Sequence, residues 1–364
     1  MRYKHPLKRV LRENRNLWDV ESTRPAVHSA FKKALECGTA ALGAEVYSSG
    51  MEERVVFHTC KGRACSSCGT RATSQWQRER WAALPDVPYK GITFTMPDVL
   101  WPLFRNRQLA SLLPVLAAKT VEAWVRAKFG LKVGVIAIPH TFNGRLEFNA
   151  HVHVMVTAGG LELSGSWRAT AYYDVDALTH YWRRAVIRVL RASSRAGMLS
   201  TILPDEQVEA MLSAQENRWW SVKLQLLGSK EHFLRYAGRY ARRPPIAQRR
   251  IIGISDQEIE FLAKDRRLRR QVAIRLTPQT FLAAWMQHIP ERYQHAVRAF
   301  GLFAPRAIGS SSAAVFAILG QSQRQRPRPL RWSSSIKRDF GWDPLLDRQG
   351  KRMTWNRRIA PQTA

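Results

Sequence analysis

Three groups of residues in this chain have the types and spacing to do chemistry. The first lies in Phe148-Asn149-Ala150-His151-Val152-His153-Val154-Met155-Val156, an apolar run with two histidines one residue apart. Read as a β-strand, it puts His151 and His153 on one face and Val152 in the core, because side chains alternate along a strand. Two imidazoles on one rigid face can grip a single metal ion. The second group is Cys37, Cys60, Cys65 and Cys68, which are all the cysteines of the chain. Cys60-x4-Cys65-x2-Cys68-Gly69 has the close spacing and tight turn that aim thiolates at one zinc ion; Cys37 is the natural fourth ligand and His58 the reserve. With four positions filled, such a site is structural.

The third group lies between Ser229 and Pro245, read as a helix capped by Ser229 and stopped by Pro244-Pro245. Tyr236 and Tyr240 are four apart and share a face, with His232 one turn earlier. Arg235, Arg239, Arg242 and Arg243 surround them with positive charge. Tyrosines at this spacing are ordinarily core residues, yet a purely buried face needs no such arginine surround. Combined with the histidine strand, they define a chemistry. A tyrosine oxygen can attack a phosphodiester and store its energy as a phosphotyrosine bond. A divalent cation held by the histidines would polarise the scissile phosphate. The cut can then be rejoined without ATP, and two tyrosines permit two strand transfers.

The elements that must position these groups follow from hydrophobic periodicity. Residues 1–35 read as two short helices broken around Pro25. Gly91 to Met96 is a strand stopped by Pro97, residues 98–129 are helical with a kink or division at Pro114, Lys132 to Ile138 is a second strand, and 145–157 is the histidine strand. This β-α-β-β order opens a ferredoxin-like α+β sandwich with an antiparallel sheet. Asn143-Gly144 signals a hairpin. A two-residue loop there pairs Phe142 with Arg145 and Ile136 with His151, leaving His140 about 13 Å from His151 and a poor third ligand unless a bulge or longer loop changes the register. Residues 174–196 form a basic amphipathic helix with Arg183, Arg184, Arg188 and Arg191, either a phosphate-binding face or a solvated cover for the sheet. Trp76 and Trp81, among Arg78 and Arg80, can stack bases, although packing is the preferred reading. Further strands are expected at 221–227 and within 249–276, and a helix from Thr277-Pro278 to Ile289. From about 308 the Ser/Ala-rich and then Arg/Pro-rich composition reads as a flexible tail, with Gln321 to Lys337 disordered or ordered only on DNA. The expected division is a zinc-binding module over 1–85, a catalytic domain over 86–305 and a basic tail over 306–364.

Composition narrows the partner. The 364 residues are 45% hydrophobic, enough for a sizeable core, and 58 Lys+Arg against 28 Asp+Glu give a net charge of +30. A polyanion best neutralises such a surplus, with nucleic acid ahead of an anionic membrane surface. No apolar run is long enough to span a membrane. The basic N-terminus lacks the apolar core of a secretory signal. The expected location is the cytosol, where cysteines are free or metal-bound rather than disulfide-bonded.

In this order the motifs resemble one family. They are Cys37-Gly-Thr, the Cys60-x4-Cys65-x2-Cys68-Gly cluster, His140-Thr-Phe-Asn-Gly-Arg-x-x-Phe-Asn-x-His151-Val-His153, Arg235-Tyr236-x-x-Arg239-Tyr240-x-x-Arg243-Pro-Pro-Ile, and Arg298-x-Phe-Gly-Leu-Phe-Ala. The chain is similar, over roughly residues 5–305, to the two-tyrosine transposases of the insertion sequence ninety-one type, within the HUH endonuclease superfamily. The resemblance implies nicking and rejoining of single-stranded DNA in rolling-circle-type transposition, through a 5′-phosphotyrosine link and a free 3′-hydroxyl. It implies Tyr236 and Tyr240 as nucleophiles and His151 and His153 as ligands of Mg²⁺ or Mn²⁺. The superfamily usually supplies a third polar ligand, for which His232 is the first choice by helical face and His140 the second. Lys61 and Arg63, in the cysteine cluster, join the arginines around the tyrosines as DNA-binding candidates. Two departures stand out. Val46-Tyr-Ser-Ser-Gly-Met-Glu-Glu replaces an additional C-x-x-C, and Asp343-Pro344-Leu345-Leu346 is not followed by a cysteine pair, so no C-terminal zinc ribbon is expected. A rolling-circle replication initiator would use the same chemistry, and a catalytically inactive zinc-containing DNA-binding protein is the reading of another class.

Overall fold

Alternation along two apolar segments, Gly134–Phe142 and Phe148–Thr157, sets the architecture: each sends one row of side chains to either face of a sheet. The computed structural model describes residues 5–241, 244–265, 268–307 and 312–362. In chain order the elements are α1 (Pro6–Glu13), α2 (Pro25–Glu36), β1 (Ala44–Ser48), β2 (Glu53–Phe57), α3 (Ser66–Ala83), β3 (Tyr89–Phe94), α4 (Arg107–Phe129), β4 (Gly134–Phe142) and β5 (Phe148–Thr157). There follow the short pair β6 (Gly160–Leu161) and β7 (Trp167–Arg168), then α5 (Val175–Arg195), α6 (Asp205–Ser213), β8 (Val222–Leu226) and α7 (Lys230–Ala237). The C-terminal part adds β9 (Ile251–Ile254), β10 (Ile259–Lys264), β11 (Gln271–Leu276), α8 (Pro278–Met286), β12 (Arg298–Gly301), α9 (Ala313–Ile318), α10 (Trp332–Phe340) and β13 (Thr354–Ile359).

The central sheet is antiparallel, in the order β12-β4-β5-β3-β8. The series β3-α4-β4-β5-α5-β8 is the ferredoxin-like βαββαβ unit, and β12 extends its edge. One face carries Ala137, Val152, Val154 and Val156 into a core with Val121 and Val125 of α4 and Trp182 and Val186 of α5. The other face carries Ile136, Ile138 and Met155 against Trp76 of α3 and Phe233, Tyr236 and Ala237 of α7. The histidines share this second face, so α3 and α7 roof the site. A third core joins α1, α2, the β9–β11 sheet and α8, around Phe31, Phe261 and Trp285.

Three expectations are corrected. The helical stretch 98–129 divides at Asn106, whose side chain caps α4 by accepting from the Gln108 and Leu109 N–H groups; α4 runs unbroken through Pro114. The β4–β5 hairpin is not closed by a two-residue loop. Asn143 accepts from the Arg145 and Glu147 N–H groups, at 2.8 and 3.2 Å. Leu146 adopts a φ of 66° and drops fully buried into the third core. That anchor lengthens the loop and shifts the register, so His140 faces His151 directly and Ile136 faces Met155. The C-terminal segment is no flexible tail. β13 pairs with β1 to complete the sheet β13-β1-β2, and Trp332 at the start of α10 donates to the Tyr47 hydroxyl at 3.0 Å. Arg54 of β2 donates to the carbonyls of Pro344 and Leu346, both at 2.9 Å. The N-terminal module itself supplies the partner strand for β13.

Candidate metal and tyrosine site

The site is built on three adjacent strands and roofed by α3 and α7. His140 comes from β4, His151 and His153 from β5, and Thr93 from β3, where it faces His153. Each histidine offers a ring nitrogen within 4.8 Å of the others'. His140 Nδ1 lies 3.3 Å from His151 Nε2. His151 Nδ1 is 2.8 Å from the Asn149 carbonyl oxygen, to which it donates; this fixes the tautomer that leaves Nε2 a lone pair. His153 Nδ1 lies 3.1 Å from the Tyr236 hydroxyl and 3.2 Å from Thr93 Oγ1. Its Nε2 is buried without a hydrogen-bond partner among the described residues. A buried lone pair without a donor is costly, and a cation shared with His140 and His151 would satisfy it. Burial, with His151 beside it, pushes the His153 imidazole down to about 2. Burial and the neighbouring His151 and His153 hold His140 well below the usual histidine range. Neutral imidazoles are the form that ligates a metal. The donor set therefore fits a divalent cation.

Both tyrosines face this cluster. Ser229 caps α7 by accepting from the His232 N–H. The helix ends at Ala237 rather than at the proline pair, but a further turn, with Tyr240 N–H donating to the Ala237 carbonyl at 3.0 Å, keeps Tyr240 on the same side. The Tyr240 ring stacks on His153 with centroids 3.7 Å apart, and the two tyrosine rings meet edge-on at 5.3 Å. Tyr236 also lies 3.3 Å from Thr93 Oγ1. Burial, then the neighbouring Tyr236, pushes the Tyr240 phenol up to about 12.

The helix of the zinc module holds this arrangement from above. Gln77 of α3 donates to the Leu234 carbonyl at 2.8 Å. A side chain on Gly238 would run into Gln77, since its Cβ would lie 2.4 Å from Gln77 Nε2. Lys230, 2% exposed, pairs with Asp86 at 2.7 Å and donates to the carbonyls of Trp81 and Leu84 at 3.1 and 3.0 Å.

The four cysteines converge at the foot of α3. Cys37–Cys68, Cys60–Cys68 and Cys65–Cys37 sulfurs are each 3.7 Å apart. A tetrahedron with Zn–S bonds of about 2.3 Å has S···S edges of roughly 3.8 Å, so the cluster has the dimensions of a zinc site. His58, the reserve ligand, is engaged elsewhere, with Glu45 at 3.2 Å and the Leu42 carbonyl at 3.0 Å.

Of the two third-ligand choices, the structure brings His140 to the cluster. His232 sits exposed on the first turn of α7 and outside it; the shifted hairpin register is the reason. Arg235 is exposed and paired with Glu231 at 3.2 Å, and the Arg239 guanidinium lies 5.8 Å from the Tyr236 ring centroid. Arg242 and Arg243 lie outside the described residues. Lys61 and Arg63 sit in the loop between Cys60 and Cys65, and the Arg63 charge reaches His140. Trp76 is buried and Trp81 is 41% exposed, so the packing reading holds for the first. Sequence reading missed Thr93, Gln77 and Lys230. Thr93 had an available signal in the strand alternation Gly91-Ile92-Thr93. A lysine beside a helix cap gives none.

Fold and site together define an α+β, DNA-processing enzyme with an appended zinc-binding module. The Y2_Tnp family of candidate transposases matches residues 134–311, and the transposase zinc-binding domain of the IS91 type matches residues 9–96. The transposase for insertion sequence element IS801 of Pseudomonas savastanoi pv. phaseolicola is 31% identical over 355 residues, which cover 93% of this chain and 86% of that protein. A candidate transposase of Sinorhizobium fredii, y4qJ, is 26% identical over 319 residues, 81% of this chain and 80% of that protein. No solved structure matches. The chain belongs to the IS91-type two-tyrosine transposases, with an N-terminal transposase zinc-binding domain. Among the described residues, no helix is long and apolar enough to cross a membrane.

Proposed function

We propose that this transposase cuts and rejoins single-stranded DNA with Tyr236 and Tyr240 as nucleophiles and His140, His151 and His153 as ligands of its catalytic cation. Membership of the family makes it a rolling-circle-type transposase and a DNA-cleaving, strand-transferring enzyme; the residue roles are our reading. The observation that carries it is the His153 ring, whose buried Nε2 is unpartnered in the histidine cluster while Nδ1 meets the Tyr236 hydroxyl at 3.1 Å. With a cation on Nε2, the His153 imidazole would keep its proton on Nδ1 and donate a hydrogen bond that orients the Tyr236 oxygen. The phenolic proton passes to solvent as that oxygen attacks the scissile phosphorus. A Tyr–O–P bond forms to the 5′ side, the P–O3′ bond breaks, and the departing 3′-oxygen takes up a proton. Attack by a 3′-hydroxyl on the phosphotyrosine reverses the balance and rejoins the strand. A bound divalent cation supplies Lewis-acid polarisation of the phosphate. Mn²⁺ suits imidazole ligands by softness, and Mg²⁺ is favoured by abundance.

Arg235, Arg239, Arg242, Arg243, Lys61 and Arg63 are proposed to hold the strand's phosphates. The four cysteines are proposed as the ligands of the module's structural zinc. The functional division proposed is residues 1–85 and 86–305, with 306–364 returning to brace the first part. The enzyme is proposed to act in the cytoplasm, where its DNA lies. The test is incubation with oligonucleotides from the element's own ends and Mg²⁺ or Mn²⁺, read on a denaturing protein gel. A metal-dependent covalent adduct, absent from the Tyr236→Phe/Tyr240→Phe variant, supports the reading. Tight binding with no adduct under any metal would leave a DNA-binding protein only.

A further inference from the structure

A cavity of about 400 Å³ opens where α2, the Cys60–Cys65 loop, the β4–β5 hairpin and the segment after α8 come together. Its walls are mostly apolar, with Ala26, Ala30, Phe142 and Pro290 among them. Its polar rim is Lys33, Arg63 and Arg292. The acidic residue on the wall, Glu291, is already engaged by Arg24 and Arg107. The cavity adjoins the histidine cluster through a single side chain. The Phe142 ring centroid is 4.0 Å from that of His140 and 5.1 Å from that of His288. His288 in turn is fixed by Thr141 Oγ1 at 3.1 Å and the Leu146 carbonyl at 3.0 Å, so the wall is built rather than incidental.

We infer that this cavity receives one unstacked nucleobase of the DNA strand, from a nucleotide beside the bond that is cut. The inference rests on the single-stranded cleavage proposed above. Four observations carry it. An apolar concavity with a few placed polar groups is the form of a small-ligand pocket, not of a phosphate site. It lies one ring away from the place where the scissile phosphate must sit. A single strand presents bases free to leave the stack and to pack against an aromatic wall. Lys33 and Arg292 on the rim are cationic donors, which match a base edge rich in acceptors, and guanine O6 and N7 form such an edge for an arginine. The pocket would therefore set which base flanks the nick. It also gives the zinc module a direct part in recognition, since Arg63 and Ala64 of its cysteine loop line the wall.

The test uses full-length Tyr236→Phe/Tyr240→Phe protein, so that binding is read without cleavage. Fluorescein-labelled single strands from the element's end, each with one abasic nucleotide, are titrated and followed by anisotropy. One abasic position next to the nick should weaken binding about tenfold. Filling the cavity with Ala26→Trp should abolish that position's effect. Arg292→Gln, an exposed change, should leave folding intact and reduce the preference for guanine there. Binding with a flat abasic scan beside the nick would overturn the pocket and leave the cleavage reading standing. Absence of single-strand binding would overturn both.

Discussion

The Tyr236 hydroxyl lies 3.1 Å from His153 Nδ1, while the Tyr240 ring stacks on the same imidazole at 3.7 Å. One histidine therefore touches both tyrosines, but only the Tyr236 hydroxyl through a hydrogen bond that orients its oxygen. Burial pushes the Tyr240 phenol up to about 12, which disfavours its ionised form near neutrality. The expected consequence is an order of use, with Tyr236 making the first cut. Tyr236→Phe should lower the first nick by roughly a hundredfold, about 2.7 kcal/mol of transition-state stabilisation. Tyr240→Phe should keep the first nick and lose the second transfer. Single-turnover cleavage of an oligonucleotide separates the two, and equal losses in both variants would argue against an order.

Cleavage should depend on His140 and not on His232. His140 lies within the cluster, 3.3 Å from His151, whereas His232 is exposed on the outer turn of α7. His140→Ala should reduce nicking by at least about a hundredfold while single-strand binding persists. His232→Ala should nick at close to the parental rate. The reverse pattern, measured under saturating Mn²⁺, would remove His140 from the ligand set.

Removing the zinc should disable cleavage as well as the module. Structural zinc contributes about 10–16 kcal/mol in small peptides, against a net stability of about 5–15 kcal/mol for a whole domain. Cys68 is buried within the cluster, its sulfur 3.7 Å from those of Cys37 and Cys60. Cys68→Ser should therefore lose zinc by elemental analysis and unfold the module. Because α3 holds α7 through Gln77 and Lys230, nicking should fall with it. A zinc-depleted protein with unchanged melting and full nicking would contradict this coupling.

Lys230 is the clearest structural link between the two parts. It is buried, with Asp86 as ion-pair partner and two carbonyls as acceptors. Lys230→Met should cost about 1–3 kcal/mol, because those acceptors lose their donor without access to water. The loss should appear in denaturant unfolding, and nicking should fall more than metal binding does. An unchanged midpoint would show that the pair carries no net stability.

Much of this site is legible in the chain because it rests on local rules. Strand alternation puts His151 and His153 on one face, helical spacing puts Tyr236 and Tyr240 together, and Cys60-x4-Cys65-x2-Cys68 sits at a turn. The ferredoxin-like unit follows from the order of apolar segments alone. What failed depended on distant contacts. The register of the hairpin hinges on Leu146, which leaves the loop for a core made by α1, α2 and α8; nothing between Phe142 and Phe148 announces that. His140 ranks behind His232 in the sequence for the same reason. The C-terminal segment reads as flexible by composition, yet the edge of β1 offers it a ladder of backbone partners, from Ala44 opposite Ile359 to Ser48 opposite Thr354. Strand pairing over more than three hundred residues leaves no trace in local composition.

The most direct test of the account is to identify the residue that carries the DNA. A labelled oligonucleotide from the element's end would be trapped as a covalent adduct with Mn²⁺, digested with protease and mapped by mass spectrometry. The expected product is a 5′-phosphonucleotide on the peptide containing Tyr236, with Tyr240 modified when a second end is supplied. An adduct on any other residue, or cleavage with no covalent intermediate at all, would contradict it.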